Sequence, residues 1–520
     1  MVLDKLGQVV GAEFNREGRP SCTVGTRVSL LSTLLEWATA GESPHILWLN
    51  GMAGTGKTTV METFCSLLNK KGLLGASFFC SIKSKTPRRD ISAIFPSIAQ
   101  TLARNHPRFR EMLVGVLATF FDPLGMDLKD QYHTLILDPA EAAFGKDEII
   151  VICIDALDEC EDQEGTEKLL NTILDRKPNI PLRFFVTSRP EWHIREAFKQ
   201  KDHLPLRLHD IEDLVVKADI SIYLNDRLGG VQRLRQHYGS SWPPPEIGVI
   251  VERAGKLFIY ASTILKYITN YRGDPFDRLQ KVASLQSPVA VAVEHIEKLY
   301  SFVLSEAFRE IDDKESLRIW SCLSILISTR RPLSVSTYAK LSSTNADLIR
   351  TALESLHSVI IVPEDDDQHI SIYHASFLDY LATRADDMRP AHHENATRCF
   401  RFMNSELCLG ISGATTSHKS NDDQPQALLV PAHLKYTCTA WGYLVLQLIG
   451  RDNLIVEDIQ ITVEAFLRTK FLYWLEVLSA MGNVSHASRL LYRISQVCKY
   501  LLDEPIYGLT LGRKYRNHSP

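Results

Sequence analysis

One stretch constrains this chain more than any other. Gly51-Met52-Ala53-Gly54-Thr55-Gly56-Lys57-Thr58-Thr59 fits G-x-x-x-x-G-K-[ST] at every fixed position. Ahead of it, the apolar run Ile46-Leu47-Trp48-Leu49 reads as a buried strand. Behind it, Val60, Phe64, Leu67 and Leu68 recur at helical spacing, and Gly72 closes that run just past Lys70 and Lys71. Strand, glycine loop and helix in this order build an anion cradle. Glycines let backbone N–H groups converge, and the helix adds the positive end of its dipole. Gly51, Gly54, Thr55, Gly56 and Thr59 are expected to line the cradle. The Lys57 ammonium can reach β and γ phosphates, and the Thr58 hydroxyl can serve Mg²⁺.

Residues 44–211 alternate in an α/β pattern. Strands are expected at 45–50, 75–82, 149–154, 183–188 and 204–208, as short continuous apolar runs suited to a sheet covered on both faces. Ligands of such sheets bind at the carboxyl ends of the strands. Ile149-Ile150-Val151-Ile152-Cys153-Ile154 ends in Asp155-Ala156-Leu157-Asp158-Glu159. An apolar strand that delivers Asp155 at its tip supplies a hard anion for Mg²⁺. Glu159, or Asp158, can orient and deprotonate an attacking water. A plain surface acidic cluster is the alternative. The next strand ends in Thr187-Ser188-Arg189-Pro190. Arg189 at that tip can report a γ-phosphate; pairing with Glu191 or Asp155 is its alternative.

The remainder is mostly helical in pattern. Thr26 is placed to cap a helix through Leu30, Leu31, Leu34 and Leu35, closed by Gly41. Residues 212–300 read as helices. Helices expected at 315–327, 334–342 and 345–357 precede two short apolar runs, Val359–Val362 and Ile370–Tyr373, in the order of a winged helix. That third helix offers one Arg350 against Asp347 and Glu354, and Asp365, Asp366 and Asp367 sit in the turn. Phosphate backbones are bound by Lys and Arg, so no direct nucleic-acid binding is expected. Residues 386–520 read as helices, with Leu467, Phe471, Trp474, Leu475 and Leu478 on one stripe. Ser412 to Gln426 reads as a flexible loop, and His392-His393 as a surface pair rather than a metal site.

Composition narrows the class. A net charge of −4 excludes a general polyanion binder, and the 45% apolar fraction is ordinary for a globular protein. Ten cysteines without a C-x-x-C pair argue for buried thiols in a reducing compartment. No signal pattern opens the chain, and no apolar run nears the roughly 20 residues a bilayer needs. A soluble, cytoplasmic protein is the expectation.

Taken together, the phosphate loop, Ile154-Asp155-Ala156-Leu157-Asp158-Glu159-Cys160 and Thr187-Ser188-Arg189-Pro190 resemble the NACHT NTPases of fungal NOD-like proteins, the basidiomycete group above all. The likeness extends through Gly25-Thr26-Arg27, Gly255-Lys256-Leu257-Phe258, His374-Ala375-Ser376-Phe377-Leu378 and Trp474-Leu475-Glu476-Val477-Leu478. It implies an α/β P-loop NTPase of the STAND class, with a parallel sheet ordered 5-1-4-3-2. A linker and helix at 1–43 would precede the NTPase domain at 44–211. A helical lid at 212–300, a winged helix at 301–385 and a helical region at 386–520 would follow.

The resemblance further implies an ATP/ADP switch with Mg²⁺, slow hydrolysis, and assembly with copies of itself or with longer relatives. By the same analogy His374 stands where a histidine touches the ADP β-phosphate, although a core histidine is an equal alternative. Gly25, Thr26 and Arg27 stand on the adenine side. Two departures qualify the likeness. Leu257 or Phe258 occupies the region where relatives place a base-packing proline, and the effector domain and repeats usual in the family are not evident. ATP is expected over GTP, and no Asn-Lys-x-Asp motif contradicts that.

Two rivals share the loop. A P-loop kinase or other metabolic NTPase would want an acceptor site and a shorter chain. A non-hydrolysing scaffold or regulator would bind nucleotide without turnover.

Overall fold

Apolar runs that are continuous rather than alternating need cover on both faces, and the chain supplies it. In a computed structural model, β1 (Ile46–Asn50), β2 (Leu74–Phe79), β3 (Ile150–Asp155), β4 (Leu182–Ser188) and β5 (Leu204–Arg207) form one parallel sheet in the order β2-β3-β4-β1-β5. This is the expected order read from the other edge. The structure describes residues 3–497 apart from 8, 10, 17–18, 82–87, 89, 120–124, 161, 176–177, 200–202, 209–210, 212, 270–272, 285–291, 310, 330–331, 414–429 and 450–456. The loop expected over Ser412 to Gln426 therefore lies almost wholly outside the described residues.

Two compact units divide the chain. The first comprises Met1–Ser301 with His374–Ser376, and the second Phe302–Tyr373 with Phe377–Pro520. In the first, neighbouring strand residues feed opposite cores, because side chains alternate across a sheet. Leu47, Leu49, Val151, Cys153 and Phe185 pack with α1 (Val28–Thr39) and α2 (Lys57–Lys70) through Leu30, Leu34, Val60, Phe64 and Leu68. Ile46, Trp48, Ile152, Ile154, Phe184 and Val186 join the other core, with α3 (Ile94–Asn105) and α4 (Gln163–Asp175). Two later helices complete the part of this unit that matters below, α5 (Asp213–Gly229) and α6 (Phe258–Thr269).

The start of α1 differs from expectation. Arg27, not Thr26, is the residue before the helix, and its φ of 55° is left-handed. Thr26 turns its hydroxyl back to the Thr23 carbonyl at 2.7 Å. A non-glycine residue in this region is costly unless tertiary contacts hold it, and Arg27 has such contacts.

In the second unit, α7 (Asp313–Ser328), α8 (Val335–Leu341) and α9 (Ala346–Glu354) precede the antiparallel pair β6 (Ile360–Ile361) and β7 (Ser371–Ile372). Arg350 on α9 donates to the Pro363 carbonyl at 3.1 Å and pairs with Asp366. The turn between β6 and β7 thus neutralises the basic side chain of that helix. Behind it lie α10 (Ala385–Glu406), α11 (Ala432–Gln447) and α12 (Phe471–Ala480). Trp474 is fully buried and donates to the Cys438 carbonyl at 2.8 Å.

The histidine pair is not a surface pair. His392 is wholly buried, with Nδ1 2.8 Å from the Ser324 hydroxyl, and burial pushes its pKa down to about 4. Neighbouring α-helical residues face about 100° apart, so His393 does reach the surface, where it meets Asp458 at 2.8 Å. Among the described residues no helix is long and apolar enough to cross a membrane, and no metal-binding cluster of His, Cys, Asp and Glu forms.

Candidate functional site

Parallel register delivers the informative residues to one edge of the sheet. Asn50 at the end of β1 pairs with Ser188 at the end of β4, and Ile154 in β3 pairs with Val186. The phosphate loop, Asp155 and Arg189 all follow directly from these tips. In the loop, Gly54 has φ +79° and Gly56 φ +92°, the left-handed backbone that glycine allows and that anion nests are built from. Lys57 opens α2, is buried, and donates Nζ to the carbonyls of Gly51 at 2.7 Å and Met52 at 3.0 Å. Burial lowers its pKa, while Asp158, Asp155 and Glu159 oppose that shift.

Asp155 is 1% exposed. Its Oδ1 accepts from the Thr187 hydroxyl at 2.6 Å, and the nearby Thr58 hydroxyl also favours its ionised form. Burial nevertheless raises its pKa to about 6, with Glu159 adding to the rise and the two hydroxyls and Lys57 opposing it. A buried carboxyl beside a threonine hydroxyl is an oxygen donor pair that suits a small hard cation. Such a cation would offset the cost of ionising Asp155.

Asp158 is bound to Arg189 twice. Its Oδ1 accepts the Arg189 backbone N–H at 2.9 Å, and its Oδ2 lies 3.3 Å from Nε. Asp158 is thus an acidic partner of Arg189 that neither sequence alternative, Glu191 or Asp155, had named. Glu159 sits close enough to act electrostatically on Asp155, Lys57 and Arg88. The turn Leu157–Glu159 begins after Ala156, whose left-handed φ of 53° is held by its N–H on the Thr187 hydroxyl at 3.1 Å. Thr187 thus fixes both the strand tip and the acidic turn. His374 belongs to this unit, and its Nδ1 lies 2.8 Å from the Ser376 hydroxyl, itself 2.8 Å from Tyr300 Oη.

Three contacts that no motif announced tie the loop to its helical neighbours. The Ile259 N–H on α6 donates to the Gly54 carbonyl at 3.0 Å. Arg27 donates Nη2 to the Thr55 carbonyl at 3.0 Å, and its backbone N–H to Asp219 Oδ2 on α5 at 3.1 Å. Its guanidinium also lies 4.8 Å over the Phe258 ring. Burial lowers the Arg27 pKa, and Asp219 opposes the shift. The one available signal was an aspartate flanked by Val216 and Ile220, both on the buried stripe of α5.

The family model described as Nephrocystin 3, N-terminal, matches residues 25–189, a span that opens two residues before Arg27 and closes on Arg189. Vegetative incompatibility protein HET-E-1 of Podospora anserina is 22% identical over 496 residues, covering 85% of this chain and 34% of that protein. The chain thus spans about a third of that relative's length. Among solved structures, a STAND protein with a tetratricopeptide repeat sensor from Pyrococcus horikoshii superposes with a TM-score of 0.42 at 13% identity, covering 94% of this chain and 66% of that one. Cdc6p from Pyrobaculum aerophilum gives a TM-score of 0.31 at 12% identity, covering 72% and 89%.

Proposed function

We propose that this chain is a nucleotide-gated signalling NTPase of the NACHT type, in which ADP and ATP favour different arrangements of the helices next to the phosphate loop. The observation that carries the reading is the coupling of loop to helices. Gly54 and Thr55, at the heart of the nest, give their carbonyls to Ile259 and Arg27, and Arg27 is paired with Asp219. A loop that served only catalysis would not need its backbone bonded to α6 and, through Arg27, tied to α5.

The roles follow from chemistry. Gly51, Gly54, Gly56, Thr55 and Thr59 belong to the nest, and Lys57 turns from the loop carbonyls to the β and γ phosphates. Thr58 and Asp155 would hold Mg²⁺, which supplies charge neutralisation between phosphates. Glu159 accepts the proton of the attacking water. Asp158 positions Arg189, which meets the γ-phosphate, and His374 meets the β-phosphate of ADP. The division into an NTPase domain at 44–211, a lid at 212–300, a winged helix at 301–385 and a helical region at 386–520 belongs to the same reading. So does assembly with other chains in the cytoplasm. The vegetative incompatibility named for its relative supports a place in non-self recognition and cell-death signalling.

Hydrolysis would be slow, because the output is a conformation. A nucleotide that moves such an equilibrium from one side to the other must bind the favoured state about 5.5 kcal/mol better. Titration of wild type and Lys57→Ala with ADP and ATP tests the reading. Affinity in the variant should fall by about a hundredfold, the loss of one buried charge-assisted contact; equal affinities would refute it.

A further inference from the structure

Directly beside the acidic turn, two cysteines face each other. The Sγ atoms of Cys80 and Cys160 are 3.5 Å apart. Cys80 follows the last residue of β2, and its N–H donates to the Asp155 carbonyl at 3.0 Å. Cys160 follows the Leu157–Glu159 turn as its cap. Nothing in the nucleotide chemistry above uses either sulfur. Their sequence separation is 80 residues, so the contact is a product of the fold and not of local chain geometry.

We propose that Cys80 and Cys160 are a modification site, a dithiol that a peroxide-class oxidant converts into a disulfide linking the tip of β2 to the acidic turn. Bond formation needs the sulfurs to close from 3.5 Å to about 2.05 Å, a movement within reach of side-chain rotation and a small shift of one turn. Exposure assigns the order of events. Cys160 is half-buried and Cys80 is 4% exposed. The Cys160 sulfur attacks one peroxide oxygen, the O–O bond breaks, and water leaves with the thiol proton, giving a sulfenic acid. The Cys80 sulfur then attacks the sulfenic sulfur, the S–O bond breaks, and a second water carries off the Cys80 proton. Two thiols and one peroxide become one disulfide and two waters.

The consequence rests on the proposed NTPase reading. Phe79 already pairs in register with Asp155, so the new bond would fasten the residue after Glu159 to the strand beside Asp155. The turn that carries Asp158 and Glu159 loses freedom, while the phosphate loop on β1 is untouched. Hydrolysis should fall while ADP affinity stays the same.

The test uses the full chain, hydrogen peroxide as oxidant, and alkylation followed by peptide mass analysis. The expected product is one peptide pair joined through Cys80 and Cys160, lighter by two hydrogens than the separate thiols and released by dithiothreitol. Exposed Cys408 provides the internal control for oxidant access. Recovery of both cysteines as alkylated thiols, or of Cys160 as a persistent sulfenic acid, while Cys408 is oxidised would overturn the proposal. In Cys80→Ser and Cys160→Ser the linked pair should vanish. ATP turnover of the reduced wild type should drop about tenfold on oxidation, and turnover of either serine variant should not respond. A linked pair without any change in turnover would refute the regulatory half. Absence of turnover in the reduced protein would instead count against the NTPase reading and leave the disulfide measurement standing.

Discussion

The backbone N–H of Ile259, at the start of α6, donates to the carbonyl of Gly54 at 3.0 Å. The same pair meets through side-chain space as well. A Cβ on Gly54 would lie 2.1 Å from Ile259 Cγ2 and 2.6 Å from its Cβ. The loop therefore depends on glycine here for two reasons, a φ of +79° and an occupied neighbour.

Gly54→Ala should consequently cost more than Gly56→Ala. Gly56 shares the positive φ but has nothing within 4 Å of a built Cβ. The backbone term is about 1 kcal/mol in both, and overpacking adds about 1–3 kcal/mol at Gly54 alone. Thermal unfolding of the two variants measures the difference directly. Equal losses would show that α6 is not seated on the loop.

Asp155 sets a pH dependence. Its pKa rises to about 6 in the folded chain, against about 3.9 when unfolded. A carboxyl shifted upward favours the folded state while protonated and costs stability once ionised. The cost grows between about pH 4 and pH 6 and reaches about 3 kcal/mol above that window. Asp155→Asn should therefore be more heat-stable than wild type above pH 6 without Mg²⁺, and no more stable below pH 4. Magnesium affinity of wild type should weaken as pH falls through 6, since proton and cation compete for one carboxyl. Unfolding curves across pH, with and without Mg²⁺, check both signs.

Asp158 is predicted to act through Arg189, whose backbone N–H and Nε it binds. Asp158→Asn should keep nucleotide affinity within about twofold and reduce turnover by about tenfold to a hundredfold, the scale for a misplaced catalytic group. Arg189→Ala should lower affinity for ATP and spare that for ADP. Steady-state turnover together with equilibrium titration separates the two. A turnover defect in Asp158→Asn that Arg189→Ala deepens no further fits one shared pathway, and additive losses do not.

Arg27 and Asp219 should behave as a pair. Their ionic atoms lie 3.8 Å apart, with side chains 3% and 9% exposed. Removing Arg27 alone leaves a buried carboxylate without its cation, which costs about 3–5 kcal/mol. Arg27→Ala should thus destabilise strongly, and adding Asp219→Ala should restore part of the loss. A double-mutant cycle on thermal unfolding gives the coupling, and strictly additive losses would remove Arg27 as the link between loop and α5.

The sheet and its tips were legible from sequence because their causes are local. Continuous apolar runs such as Ile149–Ile154 need two covered faces, and a glycine-rich turn ahead of Lys57 has few uses besides an anion nest. The antiparallel pair of β6 and β7 was legible for the same reason, from two short apolar runs around an acidic turn. What escaped was set by contacts across long separations. Thr26 has the better side chain for a cap, yet Arg27 takes the position because Asp219, 192 residues away, holds its N–H. Ile259 gives no sign of its bond to Gly54, since backbone groups carry no sequence signature. His392 looked like one of two surface histidines, but the face of α10 that it occupies is turned into the core against Ser324.

Amide hydrogen exchange across Asp213–Gly229 and Phe258–Thr269 tests the central claim most directly. It should be measured with saturating ADP and Mg²⁺, then with a non-hydrolysable ATP analogue and Mg²⁺, on wild type and on Lys57→Ala. The account predicts slower exchange of both segments with ADP than with the analogue in wild type, and no effect of either nucleotide in the variant. Identical exchange with the two nucleotides in wild type, both shown to be bound, would contradict it.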